Sequence, residues 1–336
     1  MPYLDNPALD TVRADWPGHP FERGRFGYPE LPDFRPEWGP VFRMLFSRNP
    51  RRAEKRADAW MPAVSADTAY LADRSRDWLV WLGHAVFLLQ LDGKRYLTDP
   101  VLYDLPFLPR RVPLPFAVEQ LTGIDYVLLS HDHRDHCDKK SLRRVLQHNP
   151  AAKILTALRM RTVIGGWTDG MVVEEAGWYQ RYRTAGPEVL YLPARHWCRR
   201  GLLDFNRRLW GSFLIRGKNK TIYFGADSGY GPHFAQLGQR FPGIDVAIIG
   251  IGAYQPRYLM APMHADPAGG LQAFRDLGAR TLVPMHYGTY DLSREPPGDP
   301  ERVIKRLFEG ADMTDRLCLP GINRPVDLSI NRPGSE

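Results

Sequence analysis

Residues 128–146 read LLSHDHRDHCDKKSLRRVL, and three histidines and two aspartates fall within the six positions His131–His136. They follow the apolar run DYVLLS (125–130), whose aromatic and branched residues suit a strand. After them DKKSLRRVLQHN (138–149) has helical spacing, with Asp138 placed to cap it. The cluster therefore sits on a turn between a strand and a helix. A solvated, histidine-rich loop is one reading; a metal site is the other. In the pattern H-x-H-x-D-H, His131 and His133 alternate to one side and can converge on one point. Asp135 and His136 come a step later and can face a second point. Imidazole and carboxylate are the usual ligands of zinc and similar divalent ions, and their ligating forms are available at neutral pH.

Two metals need more ligands than this cluster offers, and other strand ends should supply them. His196 follows EVLYLPAR (188–195), Asp227 follows TIYFGA (221–226), and His286 follows TLVPM (281–285). Three further ligand types, each just past an apolar run, favour metal over a bland loop. Further strands are expected at WLVWLG (78–83), VFLLQLDG (86–93), RYLTDP (95–100), GSFLIRG (211–217) and VAIIGIG (246–252). DPAGGLQAFRDLG (266–278) reads as a helix begun by Asp266 and Pro267. The order, β-rich and then mixed β and α, twice over, predicts an α/β protein of two packed sheets with helices outside.

Before residue 76 the texture differs. WPGHPFERGRFGYPELPDFRPEWGP (16–40) is dense in proline, glycine and aromatics, and VFRMLFSRNPRRAEKRADAW (41–60) is apolar and then basic. We take 1–75 as an N-terminal extension, packed on the core or facing a membrane, and 76–330 as the catalytic domain. The 336 residues carry a net charge of +7, 12% aromatic and 25% charged residues, which is globular composition and favours anionic partners. No uninterrupted apolar stretch is long enough to span a bilayer, and the N-terminus has no signal-peptide pattern. A cytoplasmic chain, peripheral at the membrane where it meets lipid, is the expectation. Three cysteines give no disulfide framework. Cys137 and Cys198 read as small buried residues beside ligands.

The stretches WLGHAVFLLQLDGKRYLTDPV (81–101), LLSHDHRDHCD, PARHWCRRGLLDFNRRLWGSF (193–213), FGADSGYGPHFAQLGQRFPGIDVAIIGIGAY (224–254) and PMHYGTY (284–290) resemble the metallo-β-lactamase-fold hydrolases. Through RHWC, GAYQPRYLM and HADP the chain is similar to the N-acyl-phosphatidylethanolamine-hydrolysing phospholipase D family. The resemblance implies a four-layer αββα sandwich with two divalent metal ions at one edge, zinc first, manganese or iron also suiting such ligands. It implies that His131, His133 and His196 hold one metal, that Asp135, His136 and His286 hold the other, and that Asp227 bridges. Two ions roughly 3.5–4 Å apart would share a hydroxide that attacks phosphorus. With two carboxylates the charge sums to about +1, which suits a phosphodiester anion.

The expected activity is hydrolysis of an N-acyl-phosphatidylethanolamine-like phospholipid, releasing phosphatidic acid. The alternative is a soluble sugar-phosphate lactonase or other phosphoester hydrolase of the superfamily. A noncatalytic metal-binding scaffold is the reading from another class. No basic appendage points to nucleic acid. Expected partners are the phospholipid or another anionic phosphoester, a membrane surface touched peripherally, and a second copy of the chain as a homodimer. Asp135 and Asp227 are taken as catalytic. His264 is either a group that touches phosphate or protonates the leaving oxygen, or a helix-cap neighbour. Asp99 and His84 orient ligands or are a turn cap and a core histidine. In LYDLPFLPRRVPLPFAVEQL (102–121), Phe107, Arg110 and Phe116 are candidates for acyl chain and headgroup, with Tyr254 a further substrate contact.

Overall fold

A computed structural model of the chain describes residues 2–28 and 38–329. Strands β1 (Tyr3–Leu4), β2 (His19–Glu22) and β3 (Arg25–Phe26) form a small N-terminal sheet. Six later strands lie in one large sheet: β4 (Trp78–Trp81), β5 (Phe87–Leu91), β6 (Lys94–Thr98), β7 (Tyr126–Leu129), β8 (Lys153–Ala157) and β9 (Val173–Ala176). The second large sheet runs in sequence order through β10 (Gln180–Arg181), β11 (Glu188–Leu192), β12 (Ser212–Arg216), β13 (Thr221–Phe224), β14 (Val246–Gly250) and β15 (Thr281–Met285). β16 (Pro325–Asp327) returns to pair with β4 and completes the first large sheet as its seventh strand. Helices are α1 (Trp38–Phe46), α2 (Arg52–Ala57), α3 (Lys139–His148), α4 (Arg161–Ile164), α5 (His233–Arg240), α6 (Arg257–Met260), α7 (Pro267–Asp276) and α8 (Asp299–Glu309).

The two large sheets face each other. The Tyr191 hydroxyl of β11 donates to the Ser130 carbonyl at 2.8 Å, and Tyr182 donates to the Thr156 carbonyl at 2.7 Å. Phe87 of β5 meets Phe224 of β13 edge-on. Helices cover the outer faces, so β4, β5, β7 and β13 are buried at every position, the pattern of strands covered on both sides. The architecture is the αββα sandwich expected, with the N-terminal extension added. Asp138 caps α3 through the Ser141 amide and Asp266 caps α7 through the Gly269 amide, each at 2.8 Å. Among the described residues no helix is long and apolar enough to cross a membrane.

The N-terminal sheet is packed on the core. His19 of β2 lies 4.4 Å from the Trp178 ring and 5.4 Å from Phe26, fully buried. Burial lowers its imidazole from 6.5 to about 3. In the unfolded chain the ring protonates near 6.5, so the unfolded state binds more protons below that pH. The stability due to neutral His19 is therefore complete above 6.5 and is lost as pH falls towards 3, by roughly 4–5 kcal/mol at most. We expect His19→Phe to flatten the decline of the urea midpoint between pH 6.5 and about 3 relative to the wild type. An unchanged slope would remove His19 as its cause.

Candidate metal centre

β5 and β12 run antiparallel to their neighbours, whereas β6–β7 and β13–β14–β15 are parallel pairs. It follows that β4, β6 and β7 in one sheet, and β11, β13, β14 and β15 in the other, all end at the same edge. The segments leaving those ends carry His84, Asp99, His131–His136, His196, Asp227, His264 and His286. The turns that aim them are tight. His84, Asp99, Ala226 and His286 all adopt positive φ, at 55°, 34°, 47° and 64°. Four such non-glycine residues at one edge are a local strain that the surrounding sheets must hold in place.

The edge brings all seven expected ligands together in two groups. His131, His133, His196 and Asp227 form one; Asp135, His136 and His286, with His84, form the other. In the first, His133 Nδ1 lies 3.0 Å from His131 Nε2 and 3.1 Å from His196 Nε2, and Asp227 Oδ2 is 3.5 Å from His196 Nε2. Tetrahedral zinc bound to imidazole nitrogens would put its ligand atoms about 3.3 Å apart, so the spacing fits. In the second, His136 Nε2 approaches Asp227 Oδ2 and His286 Nε2 approaches Asp227 Oδ1, each at 3.1 Å. Asp135 Oδ2 is 3.7 and 3.6 Å from the same two nitrogens. Asp227 thus gives an oxygen to each side. His136 Nε2, His286 Nε2 and Asp227 Oδ1 are buried and make no hydrogen bond. Lone pairs left this way are costly without a partner, and a divalent cation is the partner this donor set fits.

Three of the ligand rings are held from behind. Asp99 Oδ2 accepts from His136 Nδ1 at 2.8 Å and from the Ser130 hydroxyl at 2.6 Å, and that hydroxyl lies 2.8 Å from His131 Nδ1. One carboxylate therefore leaves Nε2 of both His131 and His136 facing inward. His196 Nδ1 donates to the Met263 carbonyl at 3.1 Å. His84 bonds Asp135 Oδ2 at 3.2 Å and takes its backbone position from the Thr289 hydroxyl. The sequence reading missed the clamp beneath the loop. Buried Arg208 donates to Asp132 Oδ2 through Nε at 2.6 Å and also through Nη2, while Arg200 Nη1 binds the Asp132 and Cys137 carbonyls at 2.9 and 2.7 Å. The available signal was an acid, Asp132, between two ligands, and an arginine-rich stretch after His196.

Burial first, and then the neighbouring imidazoles, holds His131 and His196 well below the ordinary histidine range, hence neutral and fit to ligate. Burial works the same way on His136 and His286, but Asp227 and Asp135 outweigh it, placing His136 well above and His286 at about 9. The two carboxylates are held well below their usual range, because the histidines outweigh desolvation. The centre gathers cationic charge about buried carboxylates, and metal uptake there releases protons. Burial pushes Cys137 up to about 12 and Cys198 well above its ordinary value, so neither supplies a thiolate.

Other expectations need correction. The Arg110 guanidinium does not face a substrate phosphate. It is buried and donates to the carbonyls of Leu82 and Val101, each at 2.6 Å. Tyr254 is also buried, its hydroxyl spent on Asp299. Phe116 packs on the core, whereas Phe107 is fully exposed. His264 does reach the centre, with Nδ1 3.8 Å from Asp227 Oδ2, but burial lowers its imidazole to about 4. A ring neutral at pH 7 is a poor proton donor to a leaving group; its N–H remains a hydrogen-bond donor.

Fold and site define a metal-dependent hydrolase of the metallo-β-lactamase type. Residues 94–287 match the beta-lactamase superfamily domain. The chain is 31% identical over 288 residues to N-acyl-phosphatidylethanolamine-hydrolyzing phospholipase D 1 of Caenorhabditis elegans, covering 81% of each. It is 28% identical to the mitochondrial enzyme of the same name from Saccharomyces cerevisiae, covering 90% of this chain and 69% of that one. Among solved structures it is similar to a metallo hydrolase of Ignicoccus hospitalis, with TM-score 0.58 and 20% identity over 76% of this chain and 100% of that one. The chain belongs to the N-acyl-phosphatidylethanolamine-hydrolysing phospholipase D family of this superfamily.

The clamp yields a test. Arg208→Ala leaves Asp132 buried and unpaired under His131 and His133, so we expect metal affinity to fall by roughly 10–100-fold, the usual worth of a group that orients ligands. Metal content measured after dialysis against a graded chelator would read it. Undiminished retention would show that the loop holds its shape without Arg208.

Proposed function

We propose that the protein is a phospholipase D-type phosphodiesterase acting on N-acyl-phosphatidylethanolamine-like lipids and releasing phosphatidic acid. The observation that carries this reading is the pair of ligand groups sharing Asp227, so that two divalent ions would lie side by side. Asp227, His131, His133 and His196 would hold one ion, and Asp227, Asp135, His136 and His286 the other. Such ions, when bound, polarise phosphoryl oxygens and make water nucleophilic at neutral pH. Water oxygen then bonds to phosphorus, the bond from phosphorus to the ethanolamine oxygen breaks, and that oxygen takes up the proton. Family membership supports the substrate class, since the nematode and yeast relatives carry that activity in their names.

This chain's residues have separable tasks. Asp99 and Ser130 fix two imidazoles in the ligating tautomer. His264, beside Asp227 and neutral, would donate its N–H to a phosphoryl oxygen as charge builds there. Trp197 lies 4.6 Å from the His133 ring and stacks on Phe205 at 5.5 Å, on the segment that also exposes Leu202 and Leu203. That apolar shelf is suited to an acyl chain more than to a sugar.

Hydrolysis in oxygen-18 water should place the label in phosphatidic acid. Label in the released alcohol, or turnover of lactones and sugar phosphates with none of phospholipids, would overturn the reading. His264→Ala should keep its metals and lower kcat by roughly 10²–10³-fold, the usual worth of one donor to a developing oxyanion. The loss should be the same for a nitrophenyl leaving group as for a poor one; a smaller loss with nitrophenyl would restore the general-acid role. Leu202→Asp with Leu203→Asp should cut activity on vesicles and spare a short soluble diester, since both side chains already face solvent. Equal effects on the two substrates would detach this shelf from lipid.

A further inference from the structure

A cavity of about 270 Å³ lies between the end of α1, the start of α2 and the segment entering α6. Four arginines line it, Arg43, Arg48, Arg51 and Arg294, together with Tyr258 and Pro256, and none of its described lining residues is acidic. Two of the arginines are committed to structure. Arg51 pairs with Asp299 at 2.8 Å and with Glu54 at 2.8 Å. Arg294 donates to the Ser47 carbonyl at 2.7 Å and to that of Met44, closing the last turn of α1. The other two are not committed. Arg43 lies over the Tyr258 ring, its Cζ 4.6 Å from the centroid, and Arg48 is exposed. Neither makes an ion pair among the described residues, and no carboxylate among the described lining residues offsets them.

Arginine guanidinium forks match phosphate oxygens in geometry as well as charge. A concave, partly apolar wall raises the local potential of such a cluster. On the adjoining face of α1, Phe42 and Phe46 stack with ring centroids 6.3 Å apart and remain exposed, Phe46 to 84%. Exposed aromatics next to basic side chains are the composition of a segment that lies in a lipid interface. At the far end of the same α6 segment the His264 amide donates a hydrogen bond to the Met260 carbonyl at 2.9 Å, and His264 stands at the metal edge. The cavity is therefore near the catalytic edge and shares no ligand with it.

We infer that this cavity is a second anion site, distinct from the metal centre, which takes a phosphate group. A phosphate monoanion and the headgroup of an anionic phospholipid share that chemistry. Two probes separate them: calorimetric titration with inorganic phosphate, and sedimentation with vesicles of phosphatidylglycerol in phosphatidylcholine. The metal-loaded full chain is compared with Arg43→Gln/Arg48→Gln. Removing two charges should weaken vesicle partitioning roughly thirtyfold, at about 1 kcal/mol for each. Loss on vesicles alone assigns the site to a lipid headgroup, and loss of one phosphate-binding event alone assigns it to free phosphate. Arg23→Gln/Arg25→Gln removes the same charge from exposed positions of the N-terminal sheet and should change neither. No loss on either probe, or an equal loss in this second variant, would overturn the proposal. Melting temperature and metal content serve as controls. Should the double variant lose either, Arg48→Gln alone is read instead, since its side chain is exposed and holds nothing in the fold.

Discussion

Everything at the catalytic edge depends on the buried carboxylate of Asp227. Removing an isolated carboxylate from water would cost far more than a domain's net stability. Here its two oxygens face His136 and His286 at 3.1 Å, with His196, His264 and His131 at 3.5 to 4.0 Å. Five imidazoles around one acid can balance charge by holding protons, or leave that task to cations. The carboxylate thereby fixes where positive charge must sit, and both ligand groups are built outward from it.

Such a site stays open only if its rings cannot collapse onto each other. The fold prevents this by tying three of the rings, and the loop that carries two of them, to separate parts of the chain. Asp99 at the end of β6 holds His136 and, through Ser130, His131; the Met263 carbonyl after α6 holds His196; Arg208 after β11 holds the loop between His131 and His133. These anchors belong to both sheets. Their relative position, and so the gap between the ligand groups, is set by how the sheets pack, through contacts such as Tyr191 on Ser130 and Trp81 on Tyr287. The core is in this sense part of the site.

The ligands were legible in the sequence because they occupy strand ends, where an apolar run stops and a polar residue begins. The nine strands expected from β-rich runs are β4–β7 and β11–β15. β8, KILTA, was hidden by its brevity behind a helix, and β9, VEEA, by its acids, which lie half-buried at a sheet margin. β16 could not be read locally, since its strand character comes from pairing with β4, some 245 residues away. Arg110 misled for a similar reason. Two adjacent arginines in a proline-rich loop look like an anion site, but only the folded chain shows the carbonyls of Leu82 and Val101 that take up one of them. Composition shows that a charge exists; it does not show which way the side chain turns. The cavity at Arg43 and Arg48 is the converse, a basic segment whose two arginines no carboxylate or carbonyl among the described residues claims.

The centre is open on one side, and this fixes how a substrate must arrive. His131, His136, His196 and His286 are almost wholly buried, whereas His133, Asp135 and His264 keep partial exposure. The exposed three border a single mouth. On the His133 flank of that mouth stands Trp197, backed by Phe205 and leading to Leu202 and Leu203. A substrate entering here would meet the ligand groups with the apolar shelf on one side of it. The same burial that keeps His131 and His196 neutral thus leaves one side from which the centre can be approached.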